Sequence, residues 1–415
     1  MNYNLNQLKA INATDDDMII RAPAGSGKTS TIIGAIEQYS KDHPNDKIVA
    51  ITFTRKAAGE LQDRMKLLNT EISTIHSWSY RRLQLLSAEY NFTISLLEDD
   101  VIKDVLKKLC KIRHQYYLNQ FQLFSYVMGN YNIDIDDKLK RTFETIRNDY
   151  IKFKRKNGFY DFTDLPQYLY DKLTDYDERI VDIDAFFVDE FQDVDPVQLE
   201  IFKLVDAKKK VYIGDPLQSI YQFRGAVEEV FDNLDGFTEY NLDVNYRSYQ
   251  EIIDYASTVN QVAREVNDTG GILEFANIDY IEPSDIKCER GQGANIYIIN
   301  EYGTCYNIPM DSNISDTLTI KRLLSDSQTQ VLCRSNKQVK KLLAQGIENV
   351  STIHQAKGLE YKNVILVEFP ISDDEERNIA YVGMTRAKDN LCIINFDILL
   401  CIVCAEQITT TKKLF

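Results

Sequence analysis

The sequence predicts an α/β protein built from two parallel-sheet units, with a helical insertion in the first. Three observations predict it. The first eighty or so residues alternate short apolar, β-rich runs with helical segments, a βαβ rhythm that calls for parallel strands joined by crossover helices. From about Leu83 to Asn157 the β-rich runs vanish and the pattern turns helical, Lys-rich and Tyr-rich. Strand-like runs then resume at Ala185, and a further α/β region follows from about Asn241.

Taken in order, Met18 to Arg21 reads as a strand, followed by a Gly-rich turn and a helix from about Gly27 to Tyr39. Lys47 to Phe53 is the next strand and Arg55 to Leu67 an amphipathic helix. After the insertion come strands at Ala185 to Asp189 (AFFVD) and Lys210 to Gly214 (KVYIG). The second unit contributes strands at Ala294 to Asn300, Gln330 to Cys333, Asn363 to Glu368 and Leu391 to Phe396. Gly270-Gly271 and Cys288 to Gly293 read as loops. The expected division is 1–82 and 158–240 for the first unit, 83–157 for the insertion and 241–415 for the second. No internal repeat is evident.

Composition bounds the rest. At 415 residues the chain suggests two or three domains, and 44% hydrophobic residues with 11% aromatics supply ample core. A net charge of -15 argues against a generic polyanion binder. It leaves room for local basic stripes: Lys103, Lys107, Lys108, Lys111 and Arg113 form one, and Lys152, Lys154, Arg155 and Lys156 another. Each is read as a solvated face or a phosphate contact. The seven cysteines are scattered, and Cys401/Cys404 is a lone CxxC in an apolar stretch, expected as buried free thiols. The chain opens without a cationic-then-apolar leader, and the apolar run Leu391 to Cys404 is too short to span a bilayer. A soluble, cytoplasmic protein is expected.

The strongest local signal is Ala22 to Thr29, APAGSGKT, between a strand and a helix. Glycines let the backbone approach phosphates closely, and the helix N-terminus offers amides to them. Lys28 would reach the β- and γ-phosphates of a nucleotide, and Thr29 would give a hydroxyl to Mg²⁺. Ala22, Pro23, Ala24, Gly25, Ser26, Gly27 and Ser30 complete the cradle, with Ala22 where the strict pattern has glycine. A second anchor is FFVDEFQD, where an apolar strand delivers Asp189 to hold Mg²⁺ and Glu190 to polarise an attacking water. The span Gly214 to Ala226, GDPLQSIYQFRGA, joins Gln218, suited to orienting that water, to Tyr221, Phe223 and Arg224, suited to stacking on unpaired bases.

These motifs and their order resemble the UvrD/Rep group of superfamily 1 helicases, over residues 4 to 396. The resemblance implies two RecA-like P-loop NTPase domains, ATP and Mg²⁺ as ligands, and DNA as partner. Asn4, Gln7 and Ala10 fall at the family's adenine-reading spacing. TFTRKAAGELQDR (Thr52 to Arg64) and TIHSW (Thr74 to Trp78) look like single-strand-binding motifs, which assigns Phe53, Thr54, Thr74, His76 and Trp78 to the strand. YDFTDL (Tyr160 to Leu165) resembles the acidic-aromatic motif preceding the Mg²⁺ strand. NYRS (Asn245 to Ser248) implies an adenine-stacking Tyr246 and an arginine finger at Arg247. STIHQAKGLEYKNV (Ser351 to Val364) is similar to a motif with Thr352 and His354 on its strand side and Gly358 and Glu360 on its nucleotide side. YVGMTRAK (Tyr381 to Lys388) carries the second finger, Arg386.

The chain also departs from the family. Ser30 stands where several relatives carry an arginine against the adenine, and Phe223 where many carry a tryptophan. Only about a hundred residues separate Arg247 from Thr352, where larger members insert a sizeable helical domain. The resemblance implies an ATP-dependent single-stranded DNA translocase and helicase of 3′→5′ polarity. The alternative is a DNA-activated NTPase of the antiphage-defence type that senses DNA or loads a partner nuclease, with little unwinding of its own.

Overall fold

A computed structural model of the chain describes residues 3–13, 17–65, 69–129, 135, 137–220, 226, 230–231, 234–258, 286–299, 305–308, 316–371, 373–397 and 399. Two six-stranded sheets organise it. The first has the order β3-β2-β4-β5-β1-β6 and is wholly parallel: β1 Met18–Arg21, β2 Ile48–Thr52, β3 Thr70–Thr74, β4 Ala185–Val188, β5 Lys209–Gly214 and β6 Thr238–Asn241. Its central strands are buried on both faces, as a helix-covered parallel sheet requires. Period-two alternation sends neighbours to opposite cores: Phe186 packs with Trp78 and Phe202, and Phe187 with Ile36, Tyr39 and Ala50.

Around this sheet lie α1 Leu5–Asn12, α2 Lys28–Asp42, α3 Arg55–Arg64, α4 Ile75–Tyr90, α8 Leu165–Asp175 and α9 Pro196–Leu204. Between α4 and α8 the insertion supplies α5 Asp99–Ile112, α6 Gln120–Val127 and α7 Asp137–Asn157. It has a core of its own, including Ile102, Leu106, Leu123, Phe143 and Ile146. Its two ends meet where Leu96 bridges Tyr160. The root also holds a buried ionic cluster: Lys154 Nζ lies 2.6 Å from Asp161 and 2.5 Å from Asp164, and Tyr150 Oη donates to Asp161 at 3.0 Å. The boundary expected at Leu83 falls inside α4, whose Leu83 and Leu86 belong to the first sheet's core. The helical pattern at that point is the tail of a sheet-packed helix, and the separate core starts near Leu97.

The second sheet has the order β10-β9-β14-β13-β11-β12, with β9 Asn295–Ile299, β10 Cys305–Ile308, β11 Thr329–Cys333, β12 Val350–Thr352, β13 Tyr361–Val367 and β14 Ala387–Ile394. Only β10 runs antiparallel to its neighbour. Its helices are α10, helical over the described residues 250–258, then α11 Asp316–Ser325, α12 Asn336–Ala344, the single turn α13 Ile353–Ala356, and α14 Asp374–Met384. A two-stranded pair, β7 Val244–Asn245 with β8 Lys287–Cys288, lies at the crossover between the sheets. Asparagines line up across three strands in register: Asn295 Nδ2 donates to Asn390, Asn390 Nδ2 to Asn363 at 2.7 Å, and Asn363 Nδ2 to Asp326 at 3.0 Å and Thr329 at 3.2 Å. This is the two-domain RecA-like architecture with an inserted helical subdomain.

Among the described residues no helix is long and apolar enough to cross a membrane. Cys110, Cys288, Cys333 and Cys392 are free thiols. Cys401, Cys404 and Gly270-Gly271 lie outside the described residues.

Candidate functional site

The carboxyl ends of β1, β4 and β5 converge on one cavity of about 990 Å³ that the second sheet completes. The turn after β1 is shaped by glycines where no side chain fits. Gly25 (φ 72°) and Gly27 (φ 81°) sit in the left-handed region. A Cβ on Gly25 would come 2.7 Å from both Arg247 Cβ and Asn245 Nδ2, and one on Gly27 would come 2.7 Å from Gln7 Nε2. Gly27 is also the N-cap of α2 and offers no side-chain cap, so the first-turn amides face the cavity available to an anion. Ser26 is buried, and Thr29 and Ser30 line the cavity.

Lys28 projects from the first turn of α2 to Glu190, Nζ to Oε2 2.7 Å. Burial disfavours its charge, but Glu190, Asp189 and Asp215 outweigh it and raise the Lys28 pKa. The two carboxyls after β4 diverge. Burial, then the neighbouring Glu190 charge, pushes Asp189 up to about 7. Glu190 is partly exposed, and Lys28 and Lys357 outweigh its own desolvation and draw it down to about 2. Glu190 adopts φ 53°, an uncommon conformation for a side chain of this size, which turns its carboxylate back toward Lys28.

Two arginines reach this cavity from the second unit. Arg386, 1% exposed, donates to Gln218 Oε1 at 3.1 Å, and Gln218 Nε2 in turn donates to Asp215 at 2.7 Å. Burial and the nearby Arg247 charge lower the Arg386 pKa to about 9. Arg247 Nε pairs with Glu360 at 2.8 Å, and Lys388 holds the other carboxylate oxygen. Gly358 and Glu360 line the same cavity. Lys357 crosses between the sheets to Asp193 Oδ2 at 2.6 Å and to the Gln218 carbonyl at 2.8 Å.

The rim opposite is built from α1. Asn4 and Gln7 form a reciprocal capping box, and Gln7 Nε2 donates to the Ser26 carbonyl at 3.1 Å. Asn4 Nδ2 donates to Tyr246 Oη at 2.8 Å. Ala10 is buried in the first core. Arg64 Nη2 donates to Ser30 Oγ at 3.2 Å, so a guanidinium from α3 occupies the neighbourhood where the sequence lacks one at Ser30.

The residues assigned to a nucleic-acid strand are split. Phe53 is partly exposed and Thr54 exposed, at the end of β2. His76 stacks on Phe162 with centroids 5.5 Å apart, and the Arg55 guanidinium lies 5.6 Å from the same ring. Phe162, in the YDFTDL stretch, was not singled out from sequence. Thr74 and Thr352 are buried caps of α4 and α13, with nearly the same backbone angles (φ -80°, ψ 157° and φ -78°, ψ 157°). They reveal a short repeat after all: Ser73 to His76 and Ser351 to His354 both read STIH, each closing an edge strand. His354 is 8% exposed. Tyr221, Phe223 and Arg224 lie outside the described residues.

One reading needs correction. Trp78 is 0% exposed and packs against Phe186 at 5.6 Å and Arg82 at 5.5 Å, so its ring belongs to the core and has no face for a base. In the basic stripes Lys103 pairs with Asp100, Lys107 with Asp104 and Arg113 with Asp149, and Lys154 is buried, while Lys108, Lys111, Lys152, Arg155 and Lys156 are exposed.

A residue missed from sequence is Asn245. Fully buried, it donates to the Ala24 carbonyl at 2.5 Å and accepts from the amides of Arg247 and Ser248, both at 2.8 Å. It thus clips the glycine turn after β1 to the arginine that follows it. Only its place between Val244 and Tyr246 in NYRS could have drawn attention to it.

The fold and this cavity define a two-sheet P-loop protein whose site is shared between both sheets. The chain matches the family models of the UvrD/REP helicase N-terminal domain over residues 3–238 and the UvrD-like helicase C-terminal domain over residues 343–397. The chain belongs to the UvrD/Rep helicase family. It is 32% identical over 309 residues to the ATP-dependent DNA helicase Rep of Buchnera aphidicola subsp. Baizongia pistaciae, covering 68% of this chain and 46% of that protein. It is 30% identical over 291 residues to the ATP-dependent DNA helicase PcrA of Staphylococcus aureus, covering 62% and 39%. A probable DNA helicase of Mycoplasma pneumoniae is 28% identical over an alignment of 456 residues, covering 95% and 83%. The chain therefore spans less than half the length of the Rep and PcrA relatives.

Proposed function

We propose that this chain is an ATP-dependent translocase and helicase on single-stranded DNA, moving 3′→5′. The observation that carries the reading is the shared cavity: Lys28, Asp189, Glu190 and Gln218 from the first sheet and Arg247 and Arg386 from the second line one space. A ligand bridging them ties hydrolysis to the approach of the two units. The glycine turn and uncapped α2 terminus fit a triphosphate, with Lys28 on the β- and γ-phosphates and Tyr246, Gln7 and Ser30 toward the base. Thr29 and Asp189 fit Mg²⁺, which supplies charge neutralisation on the phosphates when bound. Glu190 would take the proton of the attacking water, Gln218 would orient it, and the two arginines would stabilise charge on the γ-phosphate. Outside the cavity, Phe53, Thr54 and His76, with Phe162 beside His76, would form the strand face of the first unit. We further place the insertion at 95–160, with 1–94 and 161–240 as the first unit and 241–415 as the second.

The test is strand displacement, with ATP, on duplexes bearing a 3′ or a 5′ single-stranded tail. Displacement from the 3′ tail supports the helicase. Displacement from the 5′ tail alone overturns the polarity. DNA-stimulated hydrolysis with displacement from neither overturns unwinding and favours the sensor or nuclease-loading alternative.

A further inference from the structure

Gln192, the fourth residue of DEFQD, is 1% exposed and sits between the two chemistries of the chain. Its Nε2 donates to Glu190 Oε2 at 2.6 Å, and its Oε1 accepts from the Asp215 amide at 3.0 Å. Its carbonyl accepts from Ser219 Oγ at 3.3 Å. Gly214 makes room for it: a Cβ there would overlap Gln192 Oε1. One side chain thus joins the carboxylate beside Lys28 to the head of the segment that leads, through Gln218, toward Tyr221 and Phe223.

The link has a direction. An amide offers a donor at one end and an acceptor at the other. Turned over, it would set its oxygen against the Glu190 carboxylate and its NH₂ against the Asp215 N–H. A single orientation satisfies both, so a change of partner at Glu190 is felt at Asp215 with no slack between them.

We propose that Gln192 is a positioning residue that relays the state of Glu190 to the 214–219 segment and so sets how strongly DNA stimulates hydrolysis. The relay rests on the reading of the chain as a DNA-stimulated ATPase. Lys28 must leave Glu190 to meet phosphate, and the carboxylate then bears on Gln192 alone among its present side-chain partners. Gln192 transmits that change to the Asp215 amide. Gly214 is the second half of the device, since any side chain there expels the amide from its seat.

The test is the ratio of ATP turnover with and without single-stranded oligothymidylate, in the wild type, Gln192→Ala, Gly214→Ala and the double variant, with thermal melts to establish folding. Gln192→Ala should lower the ratio roughly tenfold, the scale of one charge-assisted hydrogen bond, through kcat and with KM for ATP held. Gly214→Ala should lower it comparably. The double variant should be no worse than the poorer single, because there is one link to lose. Should Gln192→Ala not fold, Gln192→Met, close in volume and without either hydrogen-bonding end, reads the same ratio. A wild-type ratio in the Gln192 variant, or losses that multiply in the double, overturns the relay alone. A wild-type chain whose turnover ignores DNA overturns the functional reading and the relay with it.

Discussion

Lys28 Nζ and Glu190 Oε2 lie 2.7 Å apart, so the cation assigned to the phosphates and the carboxylate assigned to the water hold each other. Each favours the charged form of the other, which is why the lysine is raised and the glutamate lowered. Glu190→Gln should therefore keep nucleotide affinity while turnover falls by about a hundredfold or more, the scale of losing a general base. Lys28→Ala should lose both. Steady-state hydrolysis and nucleotide titration separate the two, and near-normal turnover in Glu190→Gln would remove it from the base role.

Trp78 is the single tryptophan of the chain, which makes its burial directly readable. Its emission should be blue-shifted, resistant to acrylamide and insensitive to added single-stranded DNA. Trp78→Ala should cost about 3–5 kcal/mol of stability as a cavity in the core. A large quench on DNA binding would return the ring to the strand.

The cluster at the root of the insertion makes a pH prediction with a sign. Burial pushes Asp161 up, but hydrogen bonds from Lys154, Thr163 and Tyr150 more than offset it and hold the carboxyl below its ordinary range. A depressed carboxyl contributes stability that is present above its unfolded value of about 3.9 and lost as pH falls through the folded value. Lys154→Met should destabilise at pH 7 by about 3–5 kcal/mol, because a buried charge loses its partner. In that variant burial dominates and the sign reverses, so the protein should gain stability as pH falls from 7 toward 4. Denaturant melts at both pH values check it, and a parallel loss in both proteins contradicts it.

Asn245 predicts a split between stability and nucleotide handling. Asn245→Ala strips three buried hydrogen bonds and should lower Tm and raise KM for ATP together, each orphaned group costing about 1–3 kcal/mol. Asn245→Asp keeps the two acceptor bonds to Arg247 and Ser248 but cannot donate to the Ala24 carbonyl. It should recover most of the Tm and little of the KM. Equal recovery of both would reduce Asn245 to a core residue.

What the sequence made legible follows burial and locality. β1 was readable to the residue and β4 and β5 to within one, because a strand covered on both faces is an unbroken apolar run. The edge strands were missed: TEIST, TEYN and VST are short and polar, and their pairing comes from the sheet rather than from their own pattern. The glycine turn between β1 and α2 was legible because its residues are contiguous in sequence. Trp78 was misread because an aromatic at helical spacing looks the same whether it points in or out. Asn245, Gln192 and Phe162 stood inside recognised stretches, yet their contacts join parts of the chain that no spacing rule connects.

The aligned asparagines of the second sheet carry one more consequence. Asn295, Asn363 and Asn390 each precede four apolar residues, IYII, VILV and LCII. Those tracts are so alike that hydrophobicity alone would scarcely tell one stagger of the strands from the next. The amides act as alignment marks. Each passes its donor forward, and the row terminates at Asp326, whose carboxylate can only accept. A strand displaced by one position would draw its amide into the oily layer and leave its neighbour's unanswered. The three asparagines thus favour one stagger of a greasy sheet over its neighbours, and with it the alignment of β14, the strand that Arg386 leads into.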